Sequence, residues 1–408
     1  MPWKWLPETG WRLWMVLPMV ENVLANPDAA ARGKGRICFV VATSCGYPPA
    51  IGGLAVAAYR IVQYLRDAGF DVHVVTGGPT TLEQTRSVED GVTVHRVMET
   101  GGAFERIFSL HRYIRKLDAE VDFDLFNAFF LTSLPPCMSA ATRPRRGRLR
   151  PVIASIRGSD STLCMASPYF RPLLLQALGA PQCWVTSVNQ LYLDEVGTQV
   201  DLTGRSSVMR NGAPALMRSW RLTEENRGVV GSTGDFRKVK DIPLMVRAFC
   251  QVPPELRRKL LLVGQFRDPG EQSWSWTLLE EAGLLGATEL TGFLPHAEAV
   301  AQMAHMNLFV QSSAFEGMPN TLMEAAAFGL PIVATAVGGV KEIFTDGKDA
   351  LLVPHAEPAM MARAMARVIE NPGLAQSLAD GAAQLCETYS RAREREAWVG
   401  LHQRLLEA

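Results

Sequence analysis

LFVQSSAFEGMPNTLMEAAAFGLPIVAT, residues 308–335, carries a strand, a turn, a helix and a second strand in one run of chain. The apolar run from Leu308 to Gln311 predicts a buried strand. Gly317 allows a tight turn, Pro319 suits a helix's first turn, and a helix over Thr321 to Phe328 stops at Gly329, with a new strand from Pro331 to Ala334. The helix start leaves backbone N–H groups of Gly317, Asn320 and Thr321 free, a setting that favours an anion by up to ~2 kcal/mol. The carboxylates of Glu316 and Glu324 flank that spot. Carboxylates do not bind phosphate, so they are expected to accept hydrogen bonds from hydroxyls attached to one. A phosphate with hydroxyl-bearing groups on both sides describes a nucleotide-sugar.

The same alternation extends outward in both directions. Upstream, strands are predicted at Arg36 to Thr43, Asp71 to Thr76, Val92 to Arg96, Asp124 to Ala128, Pro151 to Ser155 and Cys183 to Ser187, with helices over Gly53 to Ala68 and Phe104 to Leu117. A polar stretch, RSWRLTEENRG at 218–228, interrupts the pattern and reads as a linker. Strands then resume at Val229 to Gly231, Leu260 to Val263, Glu289 to Leu290 and Ala350 to Val353, with helices over Pro243 to Cys250 and near Leu278 to Gly283. Strands alternating with helices imply βαβ units and parallel sheets covered on both faces. The expected architecture is α/β: two doubly wound Rossmann-like domains facing each other across a cleft. Their predicted bounds are 33–217 for an acceptor-side domain and 218–390 for a nucleotide-sugar domain. A Trp-rich extension over 1–32 precedes them, and a helix over 391–408 follows.

The Glu316 and Glu324 spacing, the intervening Gly-Met-Pro-Asn and the downstream PIVATAVGGVKEIFTDGKDALLV resemble the donor site of retaining glycosyltransferases of family 4, which have the GT-B fold. That resemblance implies that Glu324 holds ribose hydroxyls, Glu316 a sugar hydroxyl, and the loop of Gly317, Met318, Pro319, Asn320 and Thr321 the diphosphate or sugar. GSTGDFRKVKDIPLMVRAF at 231–249 resembles the family's segment where an Arg and a Lys meet the diphosphate. Lys240 matches the Lys. Asp235 fills the Arg position, so the guanidinium role passes to Arg237. Gly52 and Gly53 resemble the family's glycine loop, and Phe293-Leu294 its nucleobase wall. Arg157-Gly-Ser-Asp160 resembles the family's H-G-x-D turn, with Arg157 in place of the His. Arginine does not deprotonate in proteins, so an electrostatic clamp replaces a proton shuttle there. Asp160 is expected either to orient the loop or to take part in catalysis. Asn211-Gly212 reads as a hinge, and the tail helix is expected to cross back to the first domain.

The implied activity is retaining transfer of a sugar from a nucleoside-diphosphate-sugar to a sugar or lipid-linked acceptor hydroxyl, in cell-surface polysaccharide or glycolipid synthesis. No cofactor and no metal is expected; Asp122-Phe-Asp124 leads into a strand rather than forming a metal motif. Because Asp235 and Arg157 depart from the family pattern, a non-catalytic nucleotide-sugar binder serving as a partner subunit is the alternative. A nicotinamide enzyme is a poor fit, since GYPPAIGG after the first strand lacks G-x-G-x-x-G. Equal numbers of basic and acidic residues, 41 each, argue against a nucleic-acid partner. Seven scattered Cys suit a reducing compartment, and a cytoplasmic location is expected. Five Arg between Arg143 and Arg150 form a basic loop that is expected to meet anionic headgroups, giving peripheral contact at the inner face of a membrane, to meet a pyrophosphate-linked acceptor, or to be merely solvated. The apolar run Leu13 to Val20 is shorter than the about 20 residues that span a bilayer. The 1–32 segment reads as an extension folded on its own domain, with an interfacial anchor as the alternative.

Overall fold

A computed structural model describes residues 34–41, 47, 53–77, 85–97, 103–145, 147–158, 164–217 and 221–408, the side chains of 103–106 excepted. The Trp-rich extension, Gly52, Arg146 and Asp160 lie outside the described residues. The first sheet contains β1 (Arg36–Val41), β2 (Asp71–Gly77), β3 (Thr85–Glu89), β4 (Val92–Val97), β5 (Leu125–Ala128), β6 (Val152–Ile156), β7 (Cys183–Ser187) and β8 (Ser206–Val208). Its order is β3-β4-β2-β1-β5-β6-β7-β8. The second contains β9 (Val229–Phe236), β10 (Lys259–Phe266), β11 (Thr288–Leu290), β12 (Leu308–Gln311), β13 (Ile332–Thr335) and β14 (Leu351–Val353), in the order β11-β10-β9-β12-β13-β14. Two doubly wound α/β halves therefore stand where the alternation places them.

All strand pairs are parallel except β3 with β4. That edge hairpin corrects the all-parallel expectation. It turns on Asp90-Gly91, both at positive φ (47° and 74°), a dipeptide that suits a two-residue hairpin turn. The helix placed near Leu278 to Gly283 runs instead over Pro269–Glu281, capped by Asp268, whose side chain accepts from the Gly270 N–H. Its buried residues Ser275 and Leu279 give little apolar periodicity, which is why its first two turns escape a pattern search.

The first helix, Gly53–Asp67, buries Ala58, Ile61, Val62 and Leu65 on Phe39 and Val74 of β1 and β2. Trp398 and Leu401 of the final helix, Arg391–Glu407, belong to the same cluster, so the tail crosses back onto the first half. Trp398 is fully buried, and its truncation to Ala should cost about 3–5 kcal/mol. The described cysteines are free thiols.

Candidate active site at the cleft

β12 ends at Gln311, and the chain passes through Ser312 and Ser313 to Glu316 before the helix Asn320–Ala327 begins. Gly338 (φ 46°) packs on the Glu316 carbonyl, where any Cβ would collide, and the Gly339 N–H donates to that carbonyl at 2.8 Å. This clamps the turn from behind. Glu316 is buried, and every described hydrogen bond to its carboxylate ends on Oε1: from Lys240 Nζ at 2.7 Å, from Ser313 Oγ at 2.6 Å and from Gln311 Nε2. Lys240 is held in reach by its own backbone, because its carbonyl accepts from Ser312 Oγ at 2.9 Å and the Val239 carbonyl from the Ala314 N–H at 2.8 Å.

A cavity of about 460 Å³ draws its lining from both halves, and Lys240, Glu316, Gly317, Met318 and Pro319 are absent from that lining. Gly53, Phe293, Leu294, Asn320, Thr321 and Glu324 line it, bringing together residues that lie far apart in the chain. Gly234 of β9 and Gly264 of β10, paired in register on neighbouring parallel strands, line it as well. Gly264 (φ 144°) approaches the Gly234 carbonyl so closely that a Cβ would overlap it. The Asn320 N–H donates to Met318 O at 2.9 Å, so of the three N–H groups expected to be free, those of Gly317, Asn320 and Thr321, the Asn320 donor is taken within the turn. Met318 is buried, and the Gly317 carbonyl accepts from Asn189 Nδ2 at 2.8 Å.

Three expected placements change. Arg237 is 65% exposed, faces Asp235 at 3.9 Å and is absent from the cavity lining; the wall holds Arg60, Arg267 and Arg391, of which Arg267 pairs with Asp235 at 2.6 Å. The reason is register: Gln265 and Phe266 of β10 pair with Asp235 and Phe236 of β9, and Arg267 follows directly, beside Asp235. Arg157 stacks over Phe129 at 4.7 Å and donates to Asn211, so its guanidinium is bound into the first half. In the basic loop, Arg150 is buried against Asp118, and Arg145 pairs with Asp122 and Asp124, so two of the five charges are neutralised. Asp122-Phe-Asp124 is thereby explained as ion pairing.

His296 and Glu342 were missed by sequence reasoning. His296 Nε2 lies 2.9 Å from Glu324 Oε1, and that hydrogen bond raises the imidazole pKa above its ordinary value. Glu342 accepts from the N–H groups of Gln190 and Leu191 at 2.9 and 3.0 Å and from Arg210 at 2.9 Å, joining the two halves. Both stand in stretches that the motif comparison covered, and only spatial proximity reveals their partners. Among the described residues no group of three potential ligands is placed to hold a metal ion, and no helix is long and apolar enough to cross a membrane.

Two family models match this chain: the glycosyl transferases group 1 model over residues 218–385 and the glycosyltransferase family 4 model over 51–212. N-acetyl-alpha-D-glucosaminyl L-malate synthase of Bacillus anthracis is 21% identical, covering 82% of this chain and 89% of that protein. D-inositol 3-phosphate glycosyltransferase of Salinispora arenicola is 33% identical over 42% of this chain and 40% of its own. Sucrose-phosphate synthase of Thermosynechococcus elongatus superposes with a TM-score of 0.75 at 18% identity, covering 91% of this chain and 99% of that one. Anabaena HepE, solved with UDP-glucose, has a TM-score of 0.70 at 17% identity, covering 90% and 99%.

Proposed function

The chain belongs to the group 1, family 4 glycosyltransferases of the GT-B fold, and from that premise we propose that it moves a sugar from a nucleoside-diphosphate-sugar to an acceptor hydroxyl with retention, without metal. One observation carries the reading: Thr321, Glu324, Phe293 and Arg267 line one cavity, and Glu316, paired with Lys240, stands on the turn that leads into the helix of Thr321 and Glu324. In this reading Glu324 accepts from the ribose hydroxyls, Phe293 and Leu294 cover the base, and Thr321 with the Gly317–Asn320 loop receives the diphosphate. Lys240 and Arg267 supply cations to the leaving group. Charge-assisted contacts of this kind contribute about 1.5–3 kcal/mol each, and they count for more in the transition state, where charge develops on the bridging oxygen. Glu316, bonded on Oε1 by three donors, keeps Oε2 for a sugar hydroxyl and is too firmly held to act as a nucleophile. The acceptor oxygen then attacks the anomeric carbon from the face the diphosphate leaves. Its C–O bond forms as the bond to phosphate breaks, and its proton passes to the departing phosphate oxygen.

The setting proposed is cell-surface polysaccharide or glycolipid synthesis, in the cytoplasm, with peripheral contact at the inner face of a membrane if the acceptor is lipid-linked. The non-catalytic alternative is not favoured, since Lys240, Glu316 and Glu324 are all present and grouped. A thermal-shift panel of UDP- and GDP-sugars identifies the donor, because a ligand that binds only the native state raises the midpoint. A product assay with soluble and lipid-linked acceptors follows, and NMR of the product reads the anomeric configuration. Lys240→Ala and Glu324→Ala should each lose the shift and the turnover together; unchanged transfer in both removes the site.

A further inference from the structure

Three polar side chains stand in a row that ends at the cavity wall, where Asn211 and Asn320 are both lining residues. Arg157, just past β6, lays its guanidinium over the rings of Phe129, at 4.7 Å, and Trp398 of the final helix, at 6.0 Å. It donates from Nη2 to Asn211 Oδ1 and from Nη1 to the Met209 carbonyl at 3.4 Å. Asn211, 7% exposed, donates in turn from Nδ2 to Asn320 Oδ1 at 2.9 Å. Asn320 opens the helix that carries Glu324 and lines the cavity, and its Nδ2 faces Gly53 at the start of the first helix, 3.3 Å from where a Cβ would stand.

The order of donors in this row follows from the first member. A guanidinium has five N–H donors and no acceptor, so the atom of Asn211 that meets it is the oxygen. The Asn211 Nδ2 therefore points at Asn320, whose oxygen must accept, and the Asn320 Nδ2 is left facing the cavity. A neutral imidazole at position 157 offers one donor and one acceptor and imposes no such direction. Stacking on two rings and the charge-assisted bond fix the fork itself.

We infer that Arg157 is a positioning residue that, through Asn211, locks the Asn320 amide with its N–H donors toward the anionic part of the donor. The ligand identity rests on the proposed function; the direction of the row does not. Asn211→Asp is the sharp test, because aspartate keeps a partner for Arg157 but can no longer donate, so the Asn320 amide must reverse and present its oxygen to the anion. Donor KM should rise about tenfold or more, as for a charge-facing hydrogen bond inverted, with kcat changed less and the melting midpoint maintained. Arg157→Gln, which can accept as well as donate, should raise KM in the same direction, and Arg157→Lys, again donor-only, should recover part of the loss. The apo protein supplies an independent readout: in a sample labelled with 15N-Asn, the Asn320 side-chain amide should shift and gain protection from exchange in Asn211→Asp as it acquires a carboxylate partner. An unchanged Asn320 amide in Asn211→Asp and in Arg157→Gln overturns the inference, as does wild-type affinity of both variants for a diphosphate probe. Wild-type protein that binds neither UDP, GDP nor pyrophosphate overturns the donor reading instead, and the amide measurement still decides the row.

Discussion

In the first half Arg150 and Asp118 form an ion pair whose side chains are 3% and 4% exposed; in the second, Lys240 and Glu316 form one at 20% and 8%. Arg150 closes its pair with both terminal nitrogens, leaving its buried Nε without a hydrogen-bond partner among the described residues. Its Nη2 reaches Asp118 Oδ2 at 2.9 Å, its Nη1 reaches the Phe123 carbonyl at 3.1 Å, and the group lies over Phe126 at 4.9 Å. Glu316 leaves its pair open, with three donors crowded on one oxygen at the edge of the cleft. The two halves share an architecture but use buried polarity differently: the first scatters it through its core as local fastening, and the second gathers it at one cleft edge. A buried pair with every charge answered within the fold is a structural device, whereas one with a vacant acceptor is suited to a ligand.

This contrast sets the expected sizes of change. Asp118→Ala leaves a buried guanidinium uncompensated and should cost about 3–5 kcal/mol in urea unfolding, with the folded fraction still active. A loss under about 1 kcal/mol would erase the distinction. Lys240→Ala should do the reverse, cutting turnover about 10²–10³-fold as loss of one preorganised donor does, with a smaller loss of stability than Asp118→Ala because Glu316 keeps Ser313 and Gln311 as donors. Steady-state rates and melting curves on one preparation test both. A third, intermediate effect belongs to the first half, with His402 of the final helix, whose pKa burial also lowers to about 4, adding to it: His73 and His95 are buried, joined at 3.0 Å, with His95 on the Tyr113 hydroxyl at 2.8 Å. Burial lowers each imidazole pKa to about 4. The unfolded rings take up protons near pH 6.5 while the folded ones do not, so stability is full above that value. It falls as acidity increases toward pH 4, by roughly a few kcal/mol. A melting midpoint that is flat over that window, or equally steep in His73→Phe, contradicts the role. The smallest effect is at His296, whose raised pKa means that its attraction to Glu324 is complete below the ordinary imidazole value and fades as pH rises through the folded one. His296→Ala should differ from wild type by less than about 1 kcal/mol, with the gap closing in alkali.

Periodicity located most strands because a parallel strand covered on both faces is an unbroken apolar run, as in β1, β6 and β12. It failed at β3, half-exposed at a sheet edge, and at Pro269–Glu281, whose apolar residues do not repeat at helical spacing. The candidate site was legible along 308–335 because strand, turn and helix are local, so Glu316, Thr321 and Glu324 are brought together by a few residues of backbone. Arg267 was not legible, because its nearness to Asp235 follows from the register of two strands separated by a helix. His296 and Glu342 depend in the same way on neighbours supplied by distant loops.

From the order of residues alone come the two α/β halves, the turn at Gly317 and the carboxylates on either side of it, since backbone preferences and the alternation of apolar runs act over short distances. Which cations enter the cavity wall, which way the amide of Asn320 points and which buried charges close on themselves were settled by packing. Those choices depend on side chains that meet only after remote strands and the final helix have come together.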